Sequence, residues 1–293
     1  MQRRSFLTLG GIALSGGALY TRAQPPPKHA LRLSVAWQMF GEMQASKALS
    51  MLARLGYDGY EFIDWRTPEV LETFAGEEKK YSLECANLIA NRPAPGNSGW
   101  IGLVNPRDRE AFLAQVNLAV AAAKRLGCKR LTIGAGQEVG GIPRRDQMSN
   151  AVAALRAACP VLEKEGITAV VEMLNTYVDH PGSFLYHVRD GAELVDLVGS
   201  PNVKLLFDIY HMQIMEGNLI DNIRSNIDRI DHFHIADVPG RHEPGTGEIN
   251  YRNVLKAIYD LGDRFQGYVS AEYKSVAPLE QSLRDLRHIT TFD

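Results

Sequence analysis

Four stretches of the 293-residue sequence end a short apolar run on a side chain that can bind a cation or move a proton. They read Ala169-Val170-Val171-Glu172, Leu205-Leu206-Phe207-Asp208, Phe233-His234-Ile235 and Tyr268-Val269-Ser270-Ala271-Glu272. Three carboxylates and an imidazole that converge in a partly desolvated place repel one another. The simplest relief is a divalent cation or a raised pKa on one acid. Oxygen-rich ligation with a single imidazole favours Mg²⁺ or Mn²⁺ and leaves Zn²⁺, Co²⁺ and Fe²⁺ open. Taken singly, an acid after an apolar strand is equally a helix N-cap or a solvated loop residue, and His234 an interior hydrogen-bonded histidine. Repetition of the pattern on successive strands is what points to a site.

Gathering these ends requires a scaffold that aligns them. Strands are expected near Leu31 to Trp37, Tyr57 to Phe62, Ser82 to Leu88, Arg130 to Ile133, Thr168 to Met173, Val203 to Asp208, Ile230 to Ile235 and Gly267 to Glu272. Helical periodicity falls between them, at Ala45 to Leu55, Arg107 to Leu126, Asp146 to Glu165, Gly191 to Val198, Tyr251 to Leu261 and Leu279 to His288. Eight βα units in about 260 residues predict an α/β protein built as a single (β/α)₈ TIM barrel, whose chemistry sits at the carboxyl ends of its strands. The rival, a doubly wound open sheet, lacks its fingerprint, because Gly134-Ala135-Gly136 is followed by Val139 where a third glycine belongs. With no Walker A pattern either, no nucleotide cofactor is expected.

The remaining composition narrows the partners. A chain with 45% apolar and 23% charged residues is an ordinary globular one, and 34 acidic against 32 basic residues leave no basic field for nucleic acid. Arg3 and Arg4 precede a weakly apolar, glycine-rich stretch from Ser5 to Tyr20 and the exit Thr21-Arg22-Ala23, which resembles a twin-arginine export signal. Residues 1–23 are therefore expected to direct export to the periplasm, residues 24–30 to be a linker, and residues 31–293 to be the barrel. Its glycines and short length make the leading stretch a poor membrane span, so no stable anchor is expected, an uncleaved one being the alternative. Removing it leaves 29 basic residues against 34 acidic. Cys85, Cys128 and Cys159 form no metal or redox pattern and read as buried thiols. Assembly with further copies of the chain stays open.

Several longer runs carry a resemblance: Glu172 with Asn175, Asp179-His180-Pro181-Gly182, Phe207-Asp208-Ile209-Tyr210-His211-Met212-Gln213 through Asn218, Ala236-Asp237-Val238-Pro239-Gly240-Arg241 through Tyr251, and Ala271-Glu272-Tyr273-Lys274. From about Leu31 to Glu280 the chain resembles hydroxypyruvate isomerases of the xylose isomerase-like barrel superfamily. The resemblance implies that Glu172, Asp208, His234 and Glu272 are metal ligands, and that Glu172 and Glu272 are the acid/base pair. Some hydroxypyruvate isomerases carry glutamine where this chain has His234, whereas ketose 3-epimerases carry histidine. The export signal also departs from a cytoplasmic hydroxypyruvate metabolism.

The chemistry so implied moves a carbonyl by one carbon. A proton leaves the carbon α to a C=O and another returns to its neighbour, by way of an enediolate, so a base, an acid and a holder for the oxyanion are needed. For hydroxypyruvate the product is tartronate semialdehyde. Arg241 is the candidate partner for the substrate carboxylate, since a guanidinium pairs carboxylates bidentately. Asn175, His180, His211 and Gln213 are candidates for binding substrate hydroxyls or orienting the ligands, Glu61 is expected at the rim, and the Pro- and Gly-rich segment Asn91 to Gly102, with Trp100, is a candidate lid. Alternatives are a ketose or keto-sugar 3-epimerase and a non-catalytic periplasmic carbohydrate-binding protein. A zinc endonuclease on the same barrel is disfavoured by the acidic balance.

Overall fold

The computed structural model describes residues 30–92 and 101–292. The expected signal segment lies outside the described residues, as do Trp100 and most of the expected lid. Eight parallel strands close into a barrel in sequence order. They are β1 (Arg32–Ala36), β2 (Gly59–Glu61), β3 (Glu84–Ile89), β4 (Arg130–Gly134), β5 (Thr168–Glu172), β6 (Val203–Asp208), β7 (Ile230–Ile235) and β8 (Tyr268–Ala271). Each expected strand is found within a few residues of its position, and the single (β/α)₈ barrel is the fold.

The helices α1 (Ala45–Leu55), α2 (Pro68–Tyr81), α3 (Arg109–Arg125), α4 (Arg144–Glu165), α5 (Val188–Val198), α6 (Ile209–Met215), α7 (Leu219–Asn226), α8 (Tyr251–Tyr259) and α9 (Leu279–Ile289) pack outside the strands. Three of them escape periodicity for physical reasons. Helix α2 buries only Phe74, Ala75 and Glu78, too sparse a stripe to register, while α6 and α7 span just 7 and 8 residues. Helix α6 follows β6 with no loop, because Asp208 itself caps it: one carboxylate oxygen, Oδ1, accepts from the backbone N–H groups of Tyr210 (2.8 Å) and His211 (3.3 Å). No described helix is long and apolar enough to cross a membrane.

Parallel register decides which side chains share a level inside the barrel, since paired residues on neighbouring strands point to the same face. Asp208 pairs with His234, His234 with Ser270, and Gly134 with Glu172. Two irregularities tune this alignment, one between Tyr60 and Glu61 against β3, the other between Leu205 and Leu206 against β7. Each places an extra residue in one strand, Ala86 and Asp231 respectively, and so brings Glu61 level with Asn87 and His232 level with Leu206. Outward-facing Phe207 and Phe233 meet each other and Phe265 in the apolar layer beneath the helices.

At the mouth the chain after β3 is strapped down. Buried Asn91 donates through Nδ2 to the carbonyls of Ile101 and Gly134, both at 2.8 Å, and its Oδ1 accepts from the Gly134 N–H at 3.0 Å. It thereby fixes the end of β4 beside Glu172. Replacing Asn91 with Ala leaves two buried backbone groups of Gly134 and the half-buried Ile101 carbonyl without this partner, so Asn91→Ala is expected to lower unfolding free energy by about 2–4 kcal/mol. A denaturant midpoint unchanged from the parent would contradict this account.

Candidate active site

The four strand-end residues meet. Donor atoms of Glu172, Asp208, His234 and Glu272 all lie within 4.8 Å of one another at the carboxyl end of the barrel. His234 presents Nδ1 to both glutamates, at 3.1 Å from Glu272 Oε2 and 3.7 Å from Glu172 Oε1. Asp208 serves two purposes: Oδ1 caps α6, and Oδ2 faces the cluster, 3.4 Å from His211 Nε2 and 3.6 Å from Arg241 Nη2.

Arg241 is the cation that the described residues place here. Its Nη2 donates to Glu272 Oε2 at 2.6 Å, and its guanidinium lies 5.2 Å from the centre of the Tyr210 ring. The loop between β7 and α8 builds this position. Buried Asp237 accepts from the N–H groups of Val238, Gly245 and Ile249 and so ties both limbs of the loop together. Glu243 accepts from the N–H groups of Val276 and Ala277, and the Lys274 N–H donates to the Arg241 carbonyl at 2.8 Å, joining the loop to the segment after β8. Gly247 is obligatory in this knot, as a Cβ there would stand 2.1 Å from the Val238 carbonyl oxygen. Arg241 adopts a left-handed backbone (φ 56°), a conformation that non-glycine residues avoid unless their surroundings impose it.

The other expected contacts divide. His180 stands on the rim, its ring 5.3 Å from that of His211. His211 and Asn175 are fully buried: Asn175 Nδ2 is 2.6 Å from His211 Nδ1 and donates to Asp179 Oδ2, while its Oδ1 accepts from the N–H groups of Val178 and Asp179. These two orient Asp208 and the loop after β5; they do not line an open surface. Gln213 turns aside and donates to Glu248 at 3.1 Å. Glu61 requires a correction. It is not at the rim but fully buried inside the barrel, with its carboxylate 2.9 Å from His232 Nε2 and 2.9 Å from His234 Nε2. The reason is alternation along β2: Tyr60 turns outward onto Phe74 in α2, so Glu61 turns into the barrel, level with Ala36 of β1. Sequence reasoning also passed over Gln38, whose Nε2 donates to Glu272 Oε1 at 2.7 Å. The signal is present in the sequence, because Gln38 is a polar residue shortly after the apolar run of β1, much as Glu272 follows β8.

Burial and charge separate the two glutamates. Desolvation, reinforced by Glu272 and Asp208 and only partly offset by His234, pushes the Glu172 carboxyl up to about 8. Burial acts on Glu272 in the same direction, but Arg241 and His234 outweigh it and hold Glu272 well below the usual carboxylate range. One acid thus keeps its proton at neutral pH while its neighbour is ionised. Burial lowers His211 to about 4, so its ring is neutral there. For His234, burial is outweighed by Glu61 and Glu272, which raise its pKa.

An eight-stranded barrel with a carboxylate and imidazole centre at its strand ends defines an enzyme of the TIM-barrel class. A model of the xylose isomerase-like TIM barrel family matches residues 49–291. The chain is 36% identical over 258 residues to the hydroxypyruvate isomerase of Escherichia coli, spanning 87% of this chain and 97% of that one. It is 31% identical over 231 residues to a 2-oxo-tetronate isomerase of Cupriavidus necator, spanning 77% and 86%. Among solved structures, an AP endonuclease of family 2 from Brucella melitensis superposes with TM-score 0.77 at 29% identity, covering 86% of this chain and 96% of that one. The chain belongs to the xylose isomerase-like TIM-barrel family, on its hydroxypyruvate isomerase branch, and is an isomerase.

The raised pKa of Glu172 has a consequence for folding. The folded chain retains a proton that the unfolded chain gives up above about 4.5, so this group's contribution to stability falls as pH rises from there to about 8. Gln mimics the protonated acid at every pH. In chelator-treated protein, the stability of the parent relative to Glu172→Gln is therefore expected to decline between about pH 5 and 8 and level off above. Parallel denaturation curves across that range would refute the raised pKa.

Proposed function

We propose that the protein is a metal-dependent aldose–ketose type isomerase that converts hydroxypyruvate to tartronate semialdehyde. The observation that carries this reading is the meeting of two glutamates from different strands on one cluster in unlike surroundings, Glu172 buried and Glu272 paired with Arg241 and His234, as proton transfer across an enediolate demands. Glu272 takes the proton α to the carbonyl, and the Glu172 carboxyl returns one to the adjacent position. Gln38 and Arg241 each engage one oxygen of Glu272 and fix the carboxylate for that transfer.

The donor set fits a divalent ion. Three carboxylates and an imidazole within 4.8 Å, with no hydrogen bond at His234 Nδ1, are a hard, oxygen-rich set suited to Mg²⁺ or Mn²⁺. Such an ion, held by Glu172, Asp208, His234 and Glu272, would supply Lewis-acid stabilisation of the developing oxyanion.

Arg241 supports a substrate that carries a carboxylate. Among the described residues only its Nη2 makes a hydrogen bond, leaving the remaining N–H groups to receive an anion beside the two glutamates. A small hydroxy-keto acid satisfies this better than a neutral sugar. His234 at the third ligand position favours a second reading, a keto-sugar 3-epimerase, since enzymes of that type share this histidine. Export through the signal-like residues 1–23 belongs to the same proposal, and places the reaction in the periplasm.

Mn²⁺-loaded protein given hydroxypyruvate in D₂O is expected to incorporate solvent deuterium into tartronate semialdehyde. Turnover of ketoses with inversion at C3, and none of hydroxypyruvate, would transfer the assignment to epimerisation. Glu172→Gln and Glu272→Gln should each lower kcat by a factor of about 10² to 10⁴. Arg241→Ala should raise KM for the hydroxy-keto acid at least about 10-fold and also lower kcat, because the guanidinium both faces the substrate carboxylate and fixes Glu272; KM for a neutral ketose should change less.

A further inference from the structure

Beneath the cluster lies a second polar group that the reaction does not use. Glu61, His232 and His234 are each 0% exposed, and their donor atoms also fall within 4.8 Å of one another. Glu61 Oε1 is 2.9 Å from His234 Nε2, and Glu61 Oε2 is 2.9 Å from His232 Nε2. No ring nitrogen of either histidine, and neither oxygen of Glu61, has a regular hydrogen bond to any described group, so the close ion-pair contacts are all that answers their burial. Burying a carboxylate and two imidazoles in the middle of a barrel is unfavourable unless they satisfy one another. The interior of such a barrel is ordinarily filled by branched apolar residues.

The two nitrogens of His234 face opposite ways. Nδ1 is directed at Glu272 and Glu172, and Nε2 at Glu61. A neutral imidazole that offers the Nδ1 lone pair to a cation carries its proton on Nε2, and that buried proton needs an acceptor. Glu61 is the acceptor in reach. The chain is shaped to put it there. Phe62 follows Glu61 with a left-handed backbone (φ 61°), unusual for a bulky residue, and its ring meets the His234 ring edge-on at 5.2 Å. Successive strand residues normally point to opposite faces, yet this turn lets Glu61 and Phe62 both address one imidazole. The His232 ring completes the enclosure, perpendicular to that of His234 at 5.1 Å.

We infer that Glu61 is a positioning residue: with His232 as its second partner, it fixes the ring orientation and tautomer of His234 so that Nδ1 is presented to the divalent ion. This rests on the metal-dependent reading above. The alternative, that Glu61, His232 and His234 hold a second ion of their own, is less favoured, because His234 would have to ligate through both nitrogens at once.

The test uses the full chain, with imidazole ¹⁵N–¹H spectra of the metal-free protein and Mn²⁺ titration of the parent and Glu61→Gln. The parent should show two downfield, slowly exchanging Nε2–H resonances, from His232 and His234. His232→Gln should keep the His234 signal, and Glu61→Gln should lose it. Mn²⁺ affinity should fall about 10- to 100-fold in Glu61→Gln at unchanged stoichiometry, the range expected for loss of a carboxylate behind a ligating histidine. A purely structural role would leave affinity per folded molecule and the His234 Nε2–H resonance unchanged, and that result would overturn the inference. So would loss of a second equivalent of Mn²⁺ in Glu61→Gln, which would make Glu61 itself a ligand. If Glu61→Gln does not fold, absence of the two resonances from the parent is the overturning result. Failure of the parent to bind Mn²⁺ would instead defeat the metal-dependent reading, and the resonances would still decide the place of Glu61.

Discussion

Like charges held together out of water are the constraint around which the mouth of this barrel is arranged. Glu172, Asp208 and Glu272 converge within 4.8 Å, and three carboxylates cannot all ionise there without compensation. The protein supplies it in three ways. Glu172 keeps its proton, Arg241 lies across Glu272 and Asp208, and Asp208 gives one oxygen to the N-terminus of α6, where backbone N–H groups and the helix dipole favour negative charge. Each device leaves part of its carboxylate facing the cluster. Charge is thus stabilised without being buried under partners, which leaves carboxylate oxygens open toward the cluster.

The barrel makes such crowding affordable by distributing it. Each acid comes from a different strand, and the hydrogen-bonded register that aligns Asp208 with His234 and Gly134 with Glu172 also fixes their heights. Loops contribute what strands cannot. Arg241 must approach from above, so it stands on a loop knotted by Asp237 and joined by Glu243 to the next connection. The left-handed backbone at Arg241 is held by this knot and by the Lys274 N–H. Rigid strands set the acids and a cross-tied loop sets the cation, so the spacing between opposite charges is fixed from two directions.

Much of this was legible in the sequence, and the parts that were not share a cause. Strand order, closure and the four convergent residues follow from apolar runs that end on Glu172, Asp208, His234 and Glu272, because those runs are determined locally by alternation and burial. The N-cap and ligand readings of Asp208 looked like alternatives in one dimension, yet a carboxylate has two oxygens and the structure gives one to the helix and turns the other to the cluster. Glu61 reads as a rim residue because it ends β2, yet its depth depends on the partners the fold sets around it, His232 and His234 from β7. Contacts between β2 and β7, across the barrel interior, leave no trace in composition or period. His211 and Asn175 were recognised as near the site, but whether a side chain faces a cavity or the wall behind it is settled by packing from other elements.

The polar layer below the mouth shows why the site is deeper than its ligands. Glu61, His232, Asn87, Ser34 and Ser270 occupy buried positions that a barrel chosen for stability alone would fill with Val, Ile or Leu. Only some of their polar atoms are matched, as where Asn87 donates to Thr132, while Ser34 Oγ, Ser270 Oγ and Asn87 Oδ1 have no hydrogen-bond partner among the described residues. Unsatisfied buried groups lower stability, typically by about 1–3 kcal/mol each. A fold that carries several of them directly beneath its charged cluster has given up some cohesion of its core to keep polar groups next to that cluster. On the same argument, the apolar packing beneath the helices, with Phe207, Phe233 and Phe265 in contact, bears the main burden of holding the barrel closed.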